Sequence, residues 1–429
     1  MTQQAGPFAF IGTNDLVAMT RGRALPLADI NFTTGVGWVP ADLAVTAMGG
    51  VAEGNPFGAL GDLRLVPDKS TEVVFAGLRG GLPVHMFIAD QVRLDGQPWE
   101  CCPRTQLKNA VAKLKDLHGL ELSVAFEHEF IVTRNDGVPM TGHPMAFDSM
   151  REVEPFGSEL AKAFASAGIP LENWLPEYGA GQFEYTTPPA DPLTAADRAV
   201  ITKDLARDVA ARHDMRASFA PLPHPTGVGN GLHIHFSLRR DGKPASYDSD
   251  GLGRMTREFQ SAAAGILEHA RGLLAITAPS QISFLRLTPH RWSAGGVCVG
   301  DQNREALLRI CPIPAGSDPE KMFNLEYRAA DATANPWLTM AAMIYAMVDG
   351  LDRGLTLDGI VEGEVEESGA PMLPATLDEA IDALKGDAIM NSWFAADLMA
   401  THIGIRATEK AAVAELDDAA KCALYATLY

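Results

Sequence analysis

The sequence predicts an α+β protein built from two parts of unequal size. The first part, residues 1–100, is rich in glycine and in short apolar patterns typical of strands, and helical periodicity is scarce there. The second part, residues 101–429, alternates amphipathic helix patterns with short strands. Several of these strands are apolar on one face and ionisable on the other, which indicates a sheet with one buried and one polar face.

Individual elements can be read in chain order. Five stretches of the first part are predicted strands: FAFIG, ALPLADINF, LRLVPD, TEVVFAGL and VHMFIAD. The second part begins with a helix from Arg104, because RTQLKNAVAKLKDLHGL has apolar residues at helical spacing and stops at Gly119. Further helices are predicted for SELAKAFASAG, AADRAVITKDLARDVAARHD, RMTREFQSAAAGILEHARGLLAIT, WLTMAAMIYAMV and ATLDEAIDALKG. GEVEESG, residues 363–369, is predicted to be an acidic, solvated loop.

Charge and composition exclude some classes of function. The chain has 429 residues and a net charge of −19, which argues against nucleic acid or an anionic membrane surface as a partner. Its longest apolar helix pattern, residues 337–348, falls well short of the roughly 20 residues that a membrane span needs. We see no signal peptide pattern and no C-x-x-C pair, so we expect a protein of the reducing cytoplasm.

The strand pattern SVAFEHEFIV, residues 123–132, carries ionisable residues at its centre. Side chains alternate along a strand, so Glu127 and Glu129 share one face while Phe126, His128 and Phe130 take the other. Two neighbouring carboxylates repel each other, and their burial needs a compensating cation or proton. This strand therefore predicts a site on one face of a sheet, where the two carboxylates need a compensating cation or proton.

Three more strands follow the same pattern. GAGQFEY carries Glu184, with Glu177 just upstream; GLHIHFSL carries His233 and His235; and FNLEYRAAD carries Glu326. If these strands join one curved sheet, their ionisable faces converge in a cleft. The carboxylates can coexist there only with divalent cations.

The donor set indicates which cations. Oxygen-rich ligation with little nitrogen and no thiolate favours Mg²⁺ or Mn²⁺ over zinc. Two or more ions are favoured over one, because the candidate ligands exceed what a single Mg²⁺ takes from a protein. The candidate metal ligands are Glu127, Glu129, Glu177, Glu184, His233 and Glu326.

Four arginines suggest what the metals serve. Arg286, Arg304, Arg309 and Arg328 lie among apolar residues that we interpret as strands. An inward arginine needs an anion, and its planar fork suits a carboxylate or a phosphate. The sequence contains no Walker-type loop and no dinucleotide-binding glycine motif. Metals held by carboxylates and facing arginines describe phosphoryl transfer onto a carboxylate.

Seven segments in order resemble the glutamine synthetase family across nearly the whole chain: LVPDKST, FEHEF, EYGAGQFE, GNGLHIHFSL, RLTPHRW, NREALLRI and LEYRAADATANPWL. EYGAGQFE resembles the branch that makes γ-glutamyl amides from amines as much as it resembles true glutamine synthetases. The resemblance implies a small N-terminal β-grasp domain over residues 1–100. It also implies a catalytic domain over residues 101–429, with a curved antiparallel sheet and helices. Ring-shaped homo-oligomers, a dodecamer among them, would carry active sites between subunits.

The resemblance also implies roles for individual residues. The first Mg²⁺ or Mn²⁺ ion would be held by Glu129, Glu177 and Glu184, and the second, against the ATP phosphates, by Glu127, His233 and Glu326. ATP would contact His235, Ser237 and Arg309. Glutamate would be bound by Arg286, Arg328 and Gly229. Catalysis would rest on Arg304 and Arg309, which would stabilise the transferring phosphoryl group, and on Glu326.

Two departures from the family pattern concern the amine. Ammonia-using members carry a glutamate where this chain has Trp292, and the segment whose aspartate helps bind ammonium aligns with NFTTGVGW, which has no acid. The reaction implied is ligation of L-glutamate to an amine other than ammonia, driven by ATP through γ-glutamyl phosphate, with Trp292 beside the amine. Two alternatives stay open: a true glutamine synthetase whose ammonium site uses other residues, and a catalytically silent structural or regulatory homologue.

Overall fold

The structure, a computed structural model, describes residues 6–288 and 293–429. Within this range the first part of the chain forms a six-stranded sheet. Its strands are β1 (Phe8–Asn14), β2 (Thr20–Pro26), β3 (Val36–Trp38), β4 (Leu63–Pro67), β5 (Val73–Phe75) and β6 (Val84–Arg93). Their order is β2-β1-β6-β4-β3, with β5 paired to β6. β1 and β6 run parallel, and the other pairs are antiparallel.

The second part contains helices and a second sheet. Its helices are α1 (Pro103–His118), α2 (Phe147–Glu152), α3 (Phe156–Ser166), α4 (Pro192–Arg212), α5 (Arg257–Glu268), α6 (Ala270–Thr277), α7 (Ser283–Arg286), α8 (Pro319–Met322), α9 (Pro336–Arg353), α10 (Leu377–Gly386), α11 (Ala388–Asn391), α12 (Ala396–Ala412) and α13 (Asp418–Leu428). Its strands are β7 (Glu121–Arg134), β8 (Asn173–Pro176), β9 (Gln182–Thr186), β10 (Met215–Ser218), β11 (Leu232–Arg240), β12 (Lys243–Pro244), β13 (Gly296–Asp301), β14 (Ala306–Ile310) and β15 (Leu325–Tyr327).

The larger sheet has nine strands among the residues that the structure describes, and β7 lies near its centre. Its order is β13-β14-β15-β11-β7-β9-β8, with β10 also paired to β7 and β12 to β11. Neighbouring strands are antiparallel except β13 and β14, which run parallel at one edge. One face of this sheet is apolar and buried under the helices, as the alternation of the sequence predicts.

The helix predicted from Arg104 is α1, and its ends follow ordinary capping chemistry. Pro103 occupies the first turn, where its missing N–H costs nothing. Gly119 ends the helix in the left-handed conformation, with φ 64°, which a residue without a side chain adopts most easily. The apolar helix α9 is almost wholly buried and packs against α1 and α5. In the described part of the chain, no helix combines the length and the apolarity that a membrane span needs.

Several expectations differ from the structure. The pattern RMTREFQSAAAGILEHARGLLAIT forms two helices, α5 and α6, because the chain turns at His269. Both ring nitrogens of His269 hold this corner, one 2.6 Å from Asp387 and the other 3.0 Å from Asp349. The acidic loop at residues 363–369 is mostly exposed, but Val365 at its centre is buried against Cys298 and Ala306.

The interpretation of the arginines as strand residues is correct only in part. Arg309 lies on β14, but Arg286 ends the short helix α7 and Arg304 is exposed in the turn between β13 and β14. Arg328 directly follows β15. Periodicity alone could not separate a four-residue helix from a strand in an apolar run.

A buried ion cluster joins the two parts. Arg104, at the start of α1, is 1% exposed. Its guanidinium contacts Asp68 at 2.9 Å and Asp90 at 3.1 Å, both from the first part, and Asp197 of α4 at 2.7 Å. Trp337 of α9 donates its indole N–H to Asp197. The fork of a single arginine therefore holds the N-terminal sheet against α1, α4 and α9.

We expect Arg104→Met to destabilise the protein strongly, because it leaves Asp197 buried without a cation. Removing one partner of a buried ion pair costs about 3–5 kcal/mol. The urea midpoint of unfolding, followed by circular dichroism, measures the effect. Arg93→Met is the matched control, because the Arg93–Glu100 pair is exposed and its loss should change the midpoint little. Equal midpoints for the two variants would contradict the joining role of Arg104.

Candidate functional site

The polar face of the larger sheet is assembled by strand register. Glu127 on β7 lies opposite His233 of β11, and Glu129 lies opposite Glu184 of β9. Directly opposed residues in antiparallel strands point to the same face, so these side chains project together. His128, between the two glutamates, points to the buried face and stacks on Tyr185. The structure thus separates the ionisable and apolar halves of FEHEF as the sequence predicts.

Glu129, Glu177 and Glu184 form the first acidic group. Each offers a carboxylate oxygen, and these oxygens lie within 4.8 Å of one another. Burial, with Glu127, Glu129 and Glu177 close by, raises the pKa of Glu184 to about 9. Burial and Glu129 also raise the pKa of Glu177. Without a bound cation, this group relieves its repulsion by holding a proton.

Glu127, His233 and Glu326 lie next to the first group. His233 Nδ1 is 3.7 Å from Glu127 Oε2 and 3.6 Å from Glu326 Oε1. His235 Nε2 is 3.0 Å from Glu127 Oε1. Burial opposes the charge on Glu127, but His235 and His233 outweigh it and hold the pKa of Glu127 well below its usual range. Glu184 also lies within metal-ligand reach of Glu127 and His233, so the two groups share one continuous cleft.

Two arginines pair with the buried carboxylate of Glu326. Arg309 of β14 lies opposite Glu326 in the sheet, and its guanidinium is 2.8 Å from Glu326 Oε2. Arg328 bonds the other oxygen of the same carboxylate. Burial acts against the charge on Glu326, but Arg328 and His233 outweigh it and lower the pKa of Glu326 to about 2. Glu326 therefore stays ionised, with positive charge on both sides.

Arg286 lies behind this cleft and is 3% exposed. Its two terminal nitrogens donate to the backbone carbonyls of Ala329, at 3.3 Å, and Arg328, at 3.1 Å. Gly229 and Gly231 lie so close to Arg286 that neither position has room for a side chain. A Cβ on Gly229 would lie 2.6 Å from Arg286 Cγ, and one on Gly231 would lie 2.7 Å from Arg286 Nη2. The glycine-rich stretch before β11 thus lets the backbone approach the guanidinium.

The rest of the predicted site residues lie around the cleft, with one exception. Ser237 lies on the polar face of β11, opposite Ser123. Arg304 is exposed, and its backbone carbonyl accepts a 2.8 Å hydrogen bond from Arg328. Trp292 falls outside the described residues, so its predicted place beside the amine stays a prediction.

Sequence reasoning missed two residues that contact His235. Cys311 Sγ lies 3.5 Å from His235 Nδ1, and Asn324 Oδ1 lies 2.8 Å from the same nitrogen. A period-two signal was present, because Cys311 follows Arg309 by two positions and Asn324 precedes Glu326 by two. Both residues therefore share the polar face with the predicted site.

The cleft has the chemistry of a divalent cation site. Its donors are mainly carboxylate oxygens, which hard cations such as Mg²⁺ and Mn²⁺ prefer. The raised pKa of Glu184 shows that the carboxylates are under-compensated by the protein's own cations. The residues present therefore fit bound divalent metal, with arginines alongside to receive anionic oxygens.

Comparisons with known proteins agree with this geometry. Residues 2–99 match the family model of the glutamine synthetase N-terminal domain, and residues 100–425 match that of the glutamine synthetase catalytic domain. The γ-glutamylpolyamine synthetase of Streptomyces coelicolor is 34% identical, over 97% of this chain and 92% of its own. The glutamine synthetase of Thermus thermophilus is 32% identical over 77% of each chain.

Solved structures are similar as well. A crystal structure described as a novel glutamine synthase homolog superposes with a TM-score of 0.92 at 38% identity, covering both chains completely. The protein GmaS in complex with ADP superposes with a TM-score of 0.82 at 25% identity, covering 96% of this chain and 95% of its own. The fold class and the family predicted from the sequence are both confirmed.

We expect metal binding to release a proton from Glu184. Its pKa of about 9 lies above neutral pH, so the metal-free carboxyl is protonated there, and a divalent ion must displace that proton. Calorimetric titration with Mn²⁺ in two buffers of different ionisation enthalpy should show about one more proton released by the wild type than by Glu184→Gln. The difference should vanish above pH 9. Glu159→Gln, an exposed carboxylate on α3, should match the wild type. Equal release from Glu184→Gln and the wild type would contradict the assignment.

Proposed function

The chain belongs to the glutamine synthetase family, in its γ-glutamyl-amide ligase branch, and we propose that it joins L-glutamate to an amine other than ammonia at the expense of ATP. In the first step the γ-carboxylate of glutamate attacks the γ-phosphorus of ATP, and ADP leaves. In the second step the amine attacks the carbonyl carbon of the γ-glutamyl phosphate, inorganic phosphate leaves, and the nitrogen loses a proton. The cleft itself carries the proposal. The pairing of its strands brings carboxylates, imidazoles and arginines together on one face of the sheet.

We propose that the two acidic groups hold two divalent ions, Mg²⁺ or Mn²⁺. Glu129, Glu177 and Glu184 would hold the first, and Glu127, His233 and Glu326 the second. When bound, such ions neutralise phosphate oxygens and make the γ-phosphorus a better electrophile. The proximity of the donor atoms and the raised pKa of Glu184 support this division.

Arginines would handle the anionic parts of the substrates. Arg309 Nη1 is 2.8 Å from Glu326 Oε2, and this contact supports a role for its guanidinium beside the second divalent ion and the phosphates. We propose that Arg309 and Arg304 stabilise the transferring phosphoryl group, because fixed positive charge is most effective where negative charge develops. Arg304 is exposed and electrostatically linked to Glu177, which supports a place at the cleft mouth. His235 and Ser237, on the same polar face, would contact the nucleotide.

Glutamate would be bound at the inner side of the cleft. We propose that Arg286 and Arg328 recognise its carboxylates, with Gly229 lining the amino-acid site. The two terminal nitrogens of Arg286 each donate a hydrogen bond to a backbone carbonyl, and these bonds fix the orientation of the guanidinium plane. A guanidinium has five N–H donors, so others stay available to a carboxylate.

Two features of the sequence support an amine other than ammonia: carboxylates are missing from one segment, and a tryptophan replaces a carboxylate in another. The exposed turn at residues 31–35 carries no acid, and the N–H groups of Thr33 and Thr34 both bond to Asn31 Oδ1. Trp292 stands in the sequence where ammonia-using relatives carry glutamate. An indole offers an apolar wall, and it can hold a cationic amine through cation–π attraction of about 0.5–2 kcal/mol. The similarity to a γ-glutamylpolyamine synthetase supports polyamines as candidate substrates.

The domain boundary, the oligomeric state and the cellular compartment are also proposals that follow from membership of the family. We propose a boundary between an N-terminal β-grasp domain and the catalytic domain at residue 100, which the limits of the two family models support. We also propose a ring-based homo-oligomer, with a dodecamer as the arrangement to test, acting in the cytoplasm. Neither nucleic acid nor a membrane surface is an expected partner, given the net charge of −19.

Arg286→Lys should raise the KM for glutamate by at least about tenfold, because an ammonium cannot replace a fork that serves two carbonyls and a carboxylate. The KM for ATP should change little. Steady-state ADP release at varied glutamate measures the effect, and an unchanged melting temperature shows that the buried site survived. An unchanged glutamate KM would remove Arg286 from the substrate site.

Ammonium should be a poorer substrate than a primary amine with apolar bulk. Ammonium must be attracted as a cation and then deprotonated, and both tasks favour carboxylates that are missing from the segments matched to the family's ammonium site. We expect kcat/KM for the best amine to exceed that for ammonium by at least about tenfold. The test measures phosphate release at saturating glutamate and MgATP with ammonium, methylamine, ethanolamine, isopropylamine, aniline and putrescine. If ammonium exceeded every amine, the protein would be a true glutamine synthetase; no turnover with any of them would favour the silent homologue.

A further inference from the structure

A second kind of donor set lies at the edge of the cleft. His235, Cys311 and Glu326 each offer one ligand atom, and these atoms lie within 4.8 Å of one another. Cys311 Sγ is 3.5 Å from His235 Nδ1 and 3.9 Å from Glu326 Oε2. Cys311 is 7% exposed, whereas the neighbouring side chain of His235 is 19% exposed. The group is therefore mostly enclosed but reaches the open cleft.

The two distances from Cys311 Sγ are close to the edges of a tetrahedral zinc site. With a Zn–S bond of about 2.3 Å and Zn–N and Zn–O bonds of about 2.1 Å, tetrahedral angles place sulfur about 3.6 Å from either of the lighter atoms. The observed separations of 3.5 and 3.9 Å need only small side-chain shifts to reach that geometry. A thiolate, an imidazole and a carboxylate are all ligands that zinc takes, and the thiolate is one that Mg²⁺ does not take.

The surroundings of His235 suit a metal ligand. Its other ring nitrogen, Nε2, lies 3.0 Å from Glu127 Oε1. Zinc-binding histidines usually donate their second N–H to a carboxylate, which fixes the ring and its tautomer. In the metal-free protein Nδ1 donates to Asn324 Oδ1, because the Asn324 amide nitrogen is committed to the Met322 carbonyl. His235 is positively charged and carries a proton on each ring nitrogen, so metal binding at Nδ1 would displace the Nδ1 proton and the Cys311 thiol proton to solvent. The Nε2 proton would stay, facing Glu127.

We propose that His235, Cys311 and Glu326 form an inhibitory site for a thiophilic divalent cation, of which zinc is the biological example. The fourth position, facing the cleft, is left for water or substrate. The ion draws Glu326 Oε2 away from Arg309, its 2.8 Å partner. It also takes a carboxylate that the second Mg²⁺ of the proposed reaction would use. Zinc at this site therefore opposes catalysis even when Mg²⁺ is in excess.

Cobalt spectroscopy tests the site without using the ligase reaction. The full-length protein is titrated with Co²⁺ in the absence of ATP, and a near-ultraviolet sulfur-to-cobalt charge-transfer band reports a thiolate ligand. We expect the band in the wild type and in Cys298→Ser, a buried cysteine in a separate cluster, but not in Cys311→Ser or Cys311→Ala. Absence of the band from the wild type, or its persistence in both Cys311 variants, overturns the proposed site.

Zinc inhibition tests the consequence, and this arm rests on the proposed function. At a fixed excess of Mg²⁺, Cys311→Ser should keep its Mg²⁺-dependent turnover while the zinc concentration for half inhibition rises at least about tenfold, the loss expected when a metal site loses a ligand or its support. Equal zinc sensitivity of the wild type and Cys311→Ser overturns the inhibitory role. If no ligase activity exists at all, the proposed function fails, and the cobalt spectrum still decides the site.

Discussion

Repulsion among carboxylates is the constraint around which the catalytic half of this protein is arranged. β7 contributes Glu127 and Glu129 to one face of a sheet, and β9 adds Glu184 directly opposite Glu129. Charges at this spacing and burial cannot all stay ionised without compensation, and the pKa of about 9 for Glu184 expresses the shortfall. Repulsion destabilises the site until cations bind. Because bound divalent ions remove this repulsion, the repulsion itself favours metal binding.

The protein's own cations compensate one end of the cleft and leave the other to metal. Arg309 and Arg328 bond both oxygens of Glu326 and keep it ionised, with a pKa of about 2. In the described part of the chain Glu177 and Glu184 make no ion pair with an arginine, and burial and the neighbouring carboxylates raise their pKa values. The same residue type thus serves two roles, set by what lies within a few ångströms. This gradient orients the cleft, with fixed positive charge at the end where phosphate oxygens would gather.

Rigid support surrounds this charged face. The opposite side of β7 packs His128 and Phe130 against Tyr185 and Phe219, so the strand cannot slip without exposing aromatic surface. A one-residue slip of β7 would turn its glutamates into the apolar core. The cost of burying those charges therefore fixes the register. At a distance from the cleft, Arg104 ties the N-terminal sheet to α1 and α4. Apolar packing thus supports the site from behind, and the ion cluster of Arg104 holds the two parts of the chain together.

Alternation along short strands determined the polar face from sequence alone, because the period of two is a local property of the chain. It identified Glu127, Glu129, Glu184, His233 and Glu326 as candidates before any pairing was known. Only the tertiary structure decided which of them meet, since register pairs residues as distant in the chain as Glu121 and Arg239. It also decided that Arg286 ends a helix, that His269 breaks one, and that Cys311 reaches His235. These outcomes depend on contacts between distant segments, and no local pattern in a single chain encodes the distance between two side chains.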